Sequence, residues 1–159
     1  KIINIKVNKK QIGSDRLANA ISVFKKYKNY IIIDFGTATT FDVVKSNNYI
    51  GGVIAPGVQT SLNNLSSKAS LIPNIKLKKI KKILGKNTNN SVISGFYWGY
   101  IGLIKNILYK IENELNYKML VLATGGLSDL FIDEVSEDII VNKDLTIKGL
   151  FIAYEEGNH

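Results

Sequence analysis

Apolar positions change their period several times along the 159-residue chain, and each change marks an element. Residues 1–7 (KIINIKV) alternate apolar and polar as a half-buried strand does, and NKKQIG after them reads as a loop. From Gly13, Ser14 and Asp15 the period lengthens. Leu17, Ala20, Ile21 and Phe24 recur at i, i+3, i+4 and i+7, predicting a helix over 14–28 capped by Ser14 or Asp15. Runs of β-branched and aromatic residues predict strands at 30–35, 40–45 and 49–55 with tight connections, an antiparallel meander. APG at 55–57 breaks the third strand and opens a short helix. A basic, irregular stretch leads to a long amphipathic helix from about Asn89 to Leu115. The strand MLVLAT then ends at TGG (124–126), and a short helix, the strand DIIV and a last helix from about Leu145 follow.

The resulting order, β-α-βββ-α-α-β-α-β-α, predicts an α/β domain: a mixed sheet, antiparallel meander plus parallel strands, flanked by helices. No repeat, low-complexity tract or linker divides residues 1–159, so one domain is expected.

Composition narrows the functional classes. Hydrophobic content of 45% and charged content of 21% are those of an ordinary globular protein. No apolar run reaches the ~18 residues of a membrane span, and no apolar signal region follows the basic start. A cytoplasmic protein without a membrane partner is expected. Zero cysteines exclude a disulfide framework or a thiolate metal site, and the single His159 leaves little room for a histidine triad or zinc cluster. The net charge of +8 invites a nucleic-acid reading. Yet Arg16 is the only arginine among 21 basic residues, and specific base and bidentate phosphate recognition favour arginine. No direct nucleic-acid partner is expected, and KLKKIKKILGK (76–86) reads as a solvated basic surface, with a polyanion patch as the alternative.

Chemistry concentrates in a few stretches. In YIIIDFGTATTFDVV (30–44) a buried strand runs into Asp34, where an unpaired charge is expensive to bury. Gly36 allows close backbone approach to a ligand, and Thr37, Thr39 and Thr40 with the turn amides offer donors to phosphate oxygens. Asp34 would hold a cation facing the same phosphates; a hairpin with a satisfied aspartate is the plain alternative. ATGG (123–126) ends a buried strand before a helix, where a nucleotide approaches an α/β sheet. The glycines of GGVIAPG (51–57) serve either a ligand or crowded strands. GSDR (13–16) sets an acid and the lone arginine at a helix start, either as a cap or as a proton acceptor beside an oxyanion grip.

Taken in order, GSDRLANA, DFGTATTFDVV, GGVIAPG, GKNT, SGFYWGYIG and ATGGL closely resemble the type III pantothenate kinases, from about Gly13 to Leu150. The resemblance implies the actin-like ATPase superfamily (acetate kinase, hexokinase, actin), with two ribonuclease-H-like lobes clasping ATP. It implies ATP-dependent phosphorylation of pantothenate, the first step of coenzyme A synthesis, by a homodimer. It further implies a divalent metal, usually Mg, and a monovalent cation such as potassium or ammonium.

Carried over by motif, Asp15 resembles the catalytic proton acceptor, and Gly13, Ser14, Asp15 and Arg16 the substrate contacts; Ser14 replaces the family's usual alanine. Asp34 resembles the monovalent-cation ligand, and Gly36, Thr37 and Thr39 the ATP-phosphate hairpin. Thr88 resembles a pantothenate contact, and Gly125 and Gly126 are expected near adenosine.

The family's Asp-x-Gly-Asn-Thr motif, which opens its N-terminal ATP-binding lobe, is not found in these residues. The chain is therefore expected to be the C-terminal lobe, binding ATP weakly and inactive by itself. The aromatic run FYWGY (96–100) is expected in the core or a dimer interface. A non-catalytic accessory factor on the same scaffold is the alternative reading, and a kinase of the superfamily with another acceptor, such as a sugar, a third.

Overall fold

The computed structural model describes residues 2–24, 26, 28–69 and 71–157; the single histidine, His159, lies outside the described residues. The elements follow the predicted order: β1 (Asn4–Ile5), α1 (Ser14–Ile21), β2 (Tyr30–Phe35), β3 (Ala38–Lys45), β4 (Asn48–Pro56), α2 (Val58–Lys68), α3 (Thr88–Leu115), β5 (Leu120–Gly125), α4 (Ser128–Val135), β6 (Ile140–Val141) and α5 (Leu145–Gly157). The six strands form one sheet in the order β1-β4-β3-β2-β5-β6. β2, β3 and β4 are the antiparallel meander, while β5 joins β2, and β6 joins β5, in parallel. This is the mixed sheet the sequence predicts.

Side-chain alternation divides the sheet into two faces. Ile31, Ile33, Phe35, Phe41 and Val43 pack on one side with α3 and α4, where Phe131 stacks on Phe35 and Tyr97 at 5.6 and 5.9 Å. Tyr97 and Tyr100 of the FYWGY run are buried here, Phe96 and Trp98 are half-buried, and Gly99 is exposed. Ile32, Val44, Tyr49 and Leu122 face the other way, with Ala20 and Ile21 of α1 and Leu145 of α5. Among the described residues no helix is long and apolar enough to cross a membrane. The lysines at 76, 78, 79, 81, 82 and 86 are exposed, as a solvated basic surface requires.

Two boundaries differ from the periodicity. The first strand shortens to two residues, and α1 stops at Ile21, seven residues before the predicted end (Lys25 and Tyr27 lie outside the described residues). The Ser22 hydroxyl donates to the Asn19 carbonyl at 2.6 Å and Phe24 N bonds back to Ile21, three residues before it, so the ladder tightens and ends.

The meander carries one irregularity that matters for the site. Val43 pairs with Gly51, but Val44 pairs with Tyr49, so Ile50 is an extra residue in β4. Positions 49 and 52 have opposite parity and would point to opposite faces of a regular strand. The bulge puts both on the α1 side, and Gly51, at φ +142°, makes the backbone excursion that only glycine takes easily.

Candidate active site

Gly13 is the N-cap of α1 and has no side chain to close the first turn. Neither Ser14 nor Asp15 caps the helix, contrary to the expectation, because both lie inside it. The exposed Asp15 carboxylate instead folds back, accepting from the Arg16 amide at 2.8 Å. A Cβ at position 13 would stand 2.6 Å from Asp15 Oδ1, so the glycine leaves room for the acid.

Asp34 stands at the end of β2 on the α1 face. Its Oδ2 accepts from Asn19 Nδ2 at 2.9 Å, and its Oδ1 faces the Gly36 turn, where a Cβ would lie 3.8 Å away. Burial raises the Asp34 carboxyl above the usual aspartate range; the Asn19 bond opposes this, and the Asp15 charge adds to it. The two acids are 19 residues apart in sequence, and Asn19, one turn beyond Asp15, joins α1 to Asp34 at the corner between α1 and β2. With the folded value above the unfolded one, stability is lost as pH rises from the ordinary aspartate range through the raised value. Burial of a carboxylate against the fold's interest in this way marks Asp34 as a functional candidate.

Gly36 and Thr37 form the exposed tip of the hairpin between β2 and β3. The tip is braced from behind: the Thr37 carbonyl accepts from Thr60 Oγ1 at 3.1 Å and sits so close to Gly57 that a Cβ there would approach it to 1.9 Å. Gly125 ends β5 directly beside Phe35, at φ +92°, and its missing Cβ would meet the Phe35 carbonyl at 2.6 Å. Gly126 has open space around it. Asp34, Gly36, Thr37, Gly125 and Gly126 thus share the carboxyl end of the parallel β2–β5 pair, where ligands approach α/β sheets.

Thr39 does not join them. It pairs with Phe35, points to the α3 side, is fully buried, and its hydroxyl has no partner. The strand starts at Ala38, and one residue of parity separates the two faces; Thr40, paired with Asp34, is the threonine on the site's face. The expected phosphate contact by Thr39 is therefore corrected. Thr39→Val should leave turnover unchanged and stabilise the fold by about 1 kcal/mol, because it removes an unsatisfied buried hydroxyl. A thermal melt should show a rise of roughly 2–4 °C; lost turnover would return Thr39 to the ligand.

Arg16 faces inward. Its Nε and Nη2 lie 2.8 and 2.7 Å from Asp42 Oδ1, and Nη2 also donates to Tyr49 Oη at 2.8 Å. Tyr49 Oη donates to the same Asp42 oxygen at 2.7 Å, and Thr40 Oγ1 to Oδ2 at 3.3 Å. Asp42 is wholly buried and the arginine side chain 13% exposed. Burial pushes the Asp42 carboxyl up against the pull of Tyr49, Arg16 and Thr40, and burial with the Asp42 charge raises the Tyr49 hydroxyl, keeping it a donor. Arg16 is pulled down by burial, but the Asp42 bond and charge leave it raised. Its Nε and Nη2 are thus taken up by Asp42 and Tyr49 rather than presented to a ligand.

Gly52 is the floor of this pair. A Cβ there would stand 2.3 Å from the Phe41 carbonyl and 2.7 Å from Arg16 Nη2. Gly52→Ala should therefore cost about 1–3 kcal/mol in a denaturant melt; a neutral result would show that the guanidinium does not need this space.

Thr88 is exposed on the first turn of α3, on the other side of the sheet. No hydrogen bond among the described residues joins it to α1. Sequence reasoning missed Asp42, Tyr49 and Asn19. Asp42 carried a readable signal, a charge inside the apolar run TTFDVV, the same argument that singles out Asp34.

Residues 1–110 match the family described as type III pantothenate kinase. A type III pantothenate kinase of Pelagibacter ubique is 56% identical over 153 residues, 96% of this chain and 62% of that protein. Another, of Paramagnetospirillum magneticum, is 44% identical over 88% of this chain and 55% of its own length. The chain thus spans about three-fifths of the curated relatives it matches. Among solved structures, a Baf family transcriptional activator from Campylobacter jejuni superposes with TM-score 0.68 at 20% identity, over 99% of this chain and 71% of that one. The archaeal actin homologue Ta0583 does so at TM-score 0.53 and 15% identity, over 90% and 54%. These two likenesses establish an actin-like ATPase fold. The family match over residues 1–110 decides the rest: this chain belongs to the type III pantothenate kinase family.

Proposed function

We propose that the protein containing this chain transfers the γ-phosphoryl group of ATP to the hydroxyl of pantothenate, giving 4′-phosphopantothenate, and that these residues supply the acceptor side. The observation that carries the reading is that α1, which presents Asp15 on its first turn, is tied at Asn19 to Asp34 (2.9 Å) beside the exposed Gly36–Thr37 turn. Phosphoryl transfer asks a protein mainly for positioning and charge stabilisation. Asp15, uncommitted to any tertiary partner, accepts the proton of the pantothenate hydroxyl as the oxygen attacks phosphorus. The Gly36 and Thr37 amides and the Thr37 hydroxyl hold phosphate oxygens, and Gly125 and Gly126 leave a shelf for adenosine. Arg16 Nη1 and the first-turn amides after Gly13 orient the acceptor, with Ser14 beside them and Thr88 as a further contact.

The donor set fits a monovalent cation at Asp34: one carboxylate oxygen presented at a backbone turn. Held there by Asp34 Oδ1, such a cation would neutralise charge on the phosphates. Among the described residues no three His, Cys, Asp or Glu side chains converge. A divalent ion such as Mg would take most of its ligands from ATP phosphates and water, as Mg commonly does. Family membership also supports a homodimer in the cytoplasm. The accessory-factor alternative rests on a shared fold alone, which does not carry function.

The test is ADP release by the product of the complete reading frame, with and without pantothenate and potassium. Release that requires both is expected. A folded, ATP-binding protein that releases no ADP with pantothenate would favour the accessory factor.

A further inference from the structure

Asp34 is held by a residue to which the reading above gives no part. Asn19 lies one helical turn beyond Asp15 on α1 and is completely buried. Its Nδ2 donates to Asp34 Oδ2 at 2.9 Å, and its Oδ1 accepts from Thr146 Oγ1, on the first turn of α5, at 2.7 Å. A side-chain amide buried this fully needs partners at both ends. Here the two ends are used with opposite polarity, a donor for the carboxylate and an acceptor for the hydroxyl. The flipped amide would set two acceptor oxygens, Asn19 Oδ1 and Asp34 Oδ2, against each other.

Thr146 reaches the amide because α5 lies directly on α1. At Gly149 a Cβ would stand 1.8 Å from the Ala18 carbonyl oxygen, so glycine at 149 permits the helix contact that brings Thr146 to Asn19. The Asp34 carboxylate is consequently divided in its duties. Oδ2 is tied to the α1–α5 pair, while Oδ1 remains at the Gly36 turn.

We propose that Asn19 and Thr146 are positioning residues, a relay that holds the Asp34 carboxylate with Oδ1 presented to the monovalent cation, so that the docking of α5 on α1 sets cation affinity. The inference rests on the reading of Asp34 as the cation ligand. Partners of a ligand commonly contribute 10–100-fold to ion affinity by fixing its orientation.

The test uses the protein from the complete reading frame, melted across a potassium titration at constant ionic strength with sodium as the balancing ion. The quantity read is the potassium concentration that gives half the maximal rise in melting temperature. Wild type should show such a midpoint and Asp34→Asn should lose the response. Thr146→Val and Asn19→Ala should raise the midpoint about tenfold. Thr146→Ser, which keeps the hydroxyl, should restore it. A merely structural role would lower the melting temperature in every salt without moving the midpoint, and that result for Thr146→Val would overturn the relay while leaving Asp34 in place. If wild type shows no response, or Asp34→Asn keeps it, the cation reading itself fails and the relay with it. Should Asn19→Ala not fold, the two Thr146 variants decide the matter.

Discussion

Asp15→Asn is expected to lower pantothenate-dependent turnover by about 10²–10⁴-fold, the usual contribution of a positioned general base. The melting temperature should stay within about 2 °C of wild type. The asymmetry follows from where the carboxylate sits. Asp15 is exposed, and its one hydrogen bond among the described residues is to the neighbouring Arg16 amide, so the fold does not depend on its charge. Asparagine keeps the shape and the oxygen that this bond uses and removes only the basicity. Steady-state ADP release together with a thermal melt separates the two effects. Unchanged turnover would remove Asp15 from the chemistry and leave it a local turn acid.

Asp42→Ala should have the opposite profile, a large loss of stability of about 3–5 kcal/mol in a denaturant melt. The deletion leaves the Arg16 guanidinium, 13% exposed, without its buried anion, and strips Tyr49 Oη and Thr40 Oγ1 of the carboxylate they donate to. Against a typical domain stability of about 5–15 kcal/mol this is a large fraction. A double variant, Arg16→Met with Asp42→Leu, removes both charges and should recover much of the stability, since well-packed apolar residues often replace a buried pair without loss. Turnover should remain low in the double variant if Arg16 Nη1 orients the acceptor. Equal stability of Asp42→Ala and wild type would mean that the pair contributes nothing to the fold.

Much of this architecture was legible because each element has a strong local cause. Ile31–Ile33 could only be a buried strand, and Leu17, Ala20 and Ile21 of α1 share a stripe. Asp34 stood out because it interrupts such a strand. What stayed hidden depends on register and tertiary contact. Whether Thr39 or Thr40 faces the site turns on a single residue of parity, set by the Gly36–Thr37 turn and the start of β3 at Ala38. The bulge at Ile50 leaves no trace in the periodicity, yet it alone puts Tyr49 and Gly52 on the face where Arg16 lies. Asn19 lies off the Leu17–Ala20–Ile21 stripe and carries no signal in the periodicity; its role emerges only when α5, 127 residues away in sequence, brings Thr146 to its other end. The lone arginine beside an acid looked like a substrate grip, whereas most of its donors meet an aspartate that the chain supplies 26 residues later.

The central claim is that the acceptor hydroxyl is activated at the corner between α1 and β2. It is tested most directly by a crystal structure of the full-length protein with pantothenate and a non-hydrolysable ATP analogue. The reacting hydroxyl of pantothenate is expected within hydrogen-bond reach of an Asp15 carboxylate oxygen, about 2.6–3.2 Å, with the terminal phosphate on the Gly36–Thr37 turn. A hydroxyl bound on the α3 side of the sheet, or out of reach of Asp15 with both ligands in place, would contradict it.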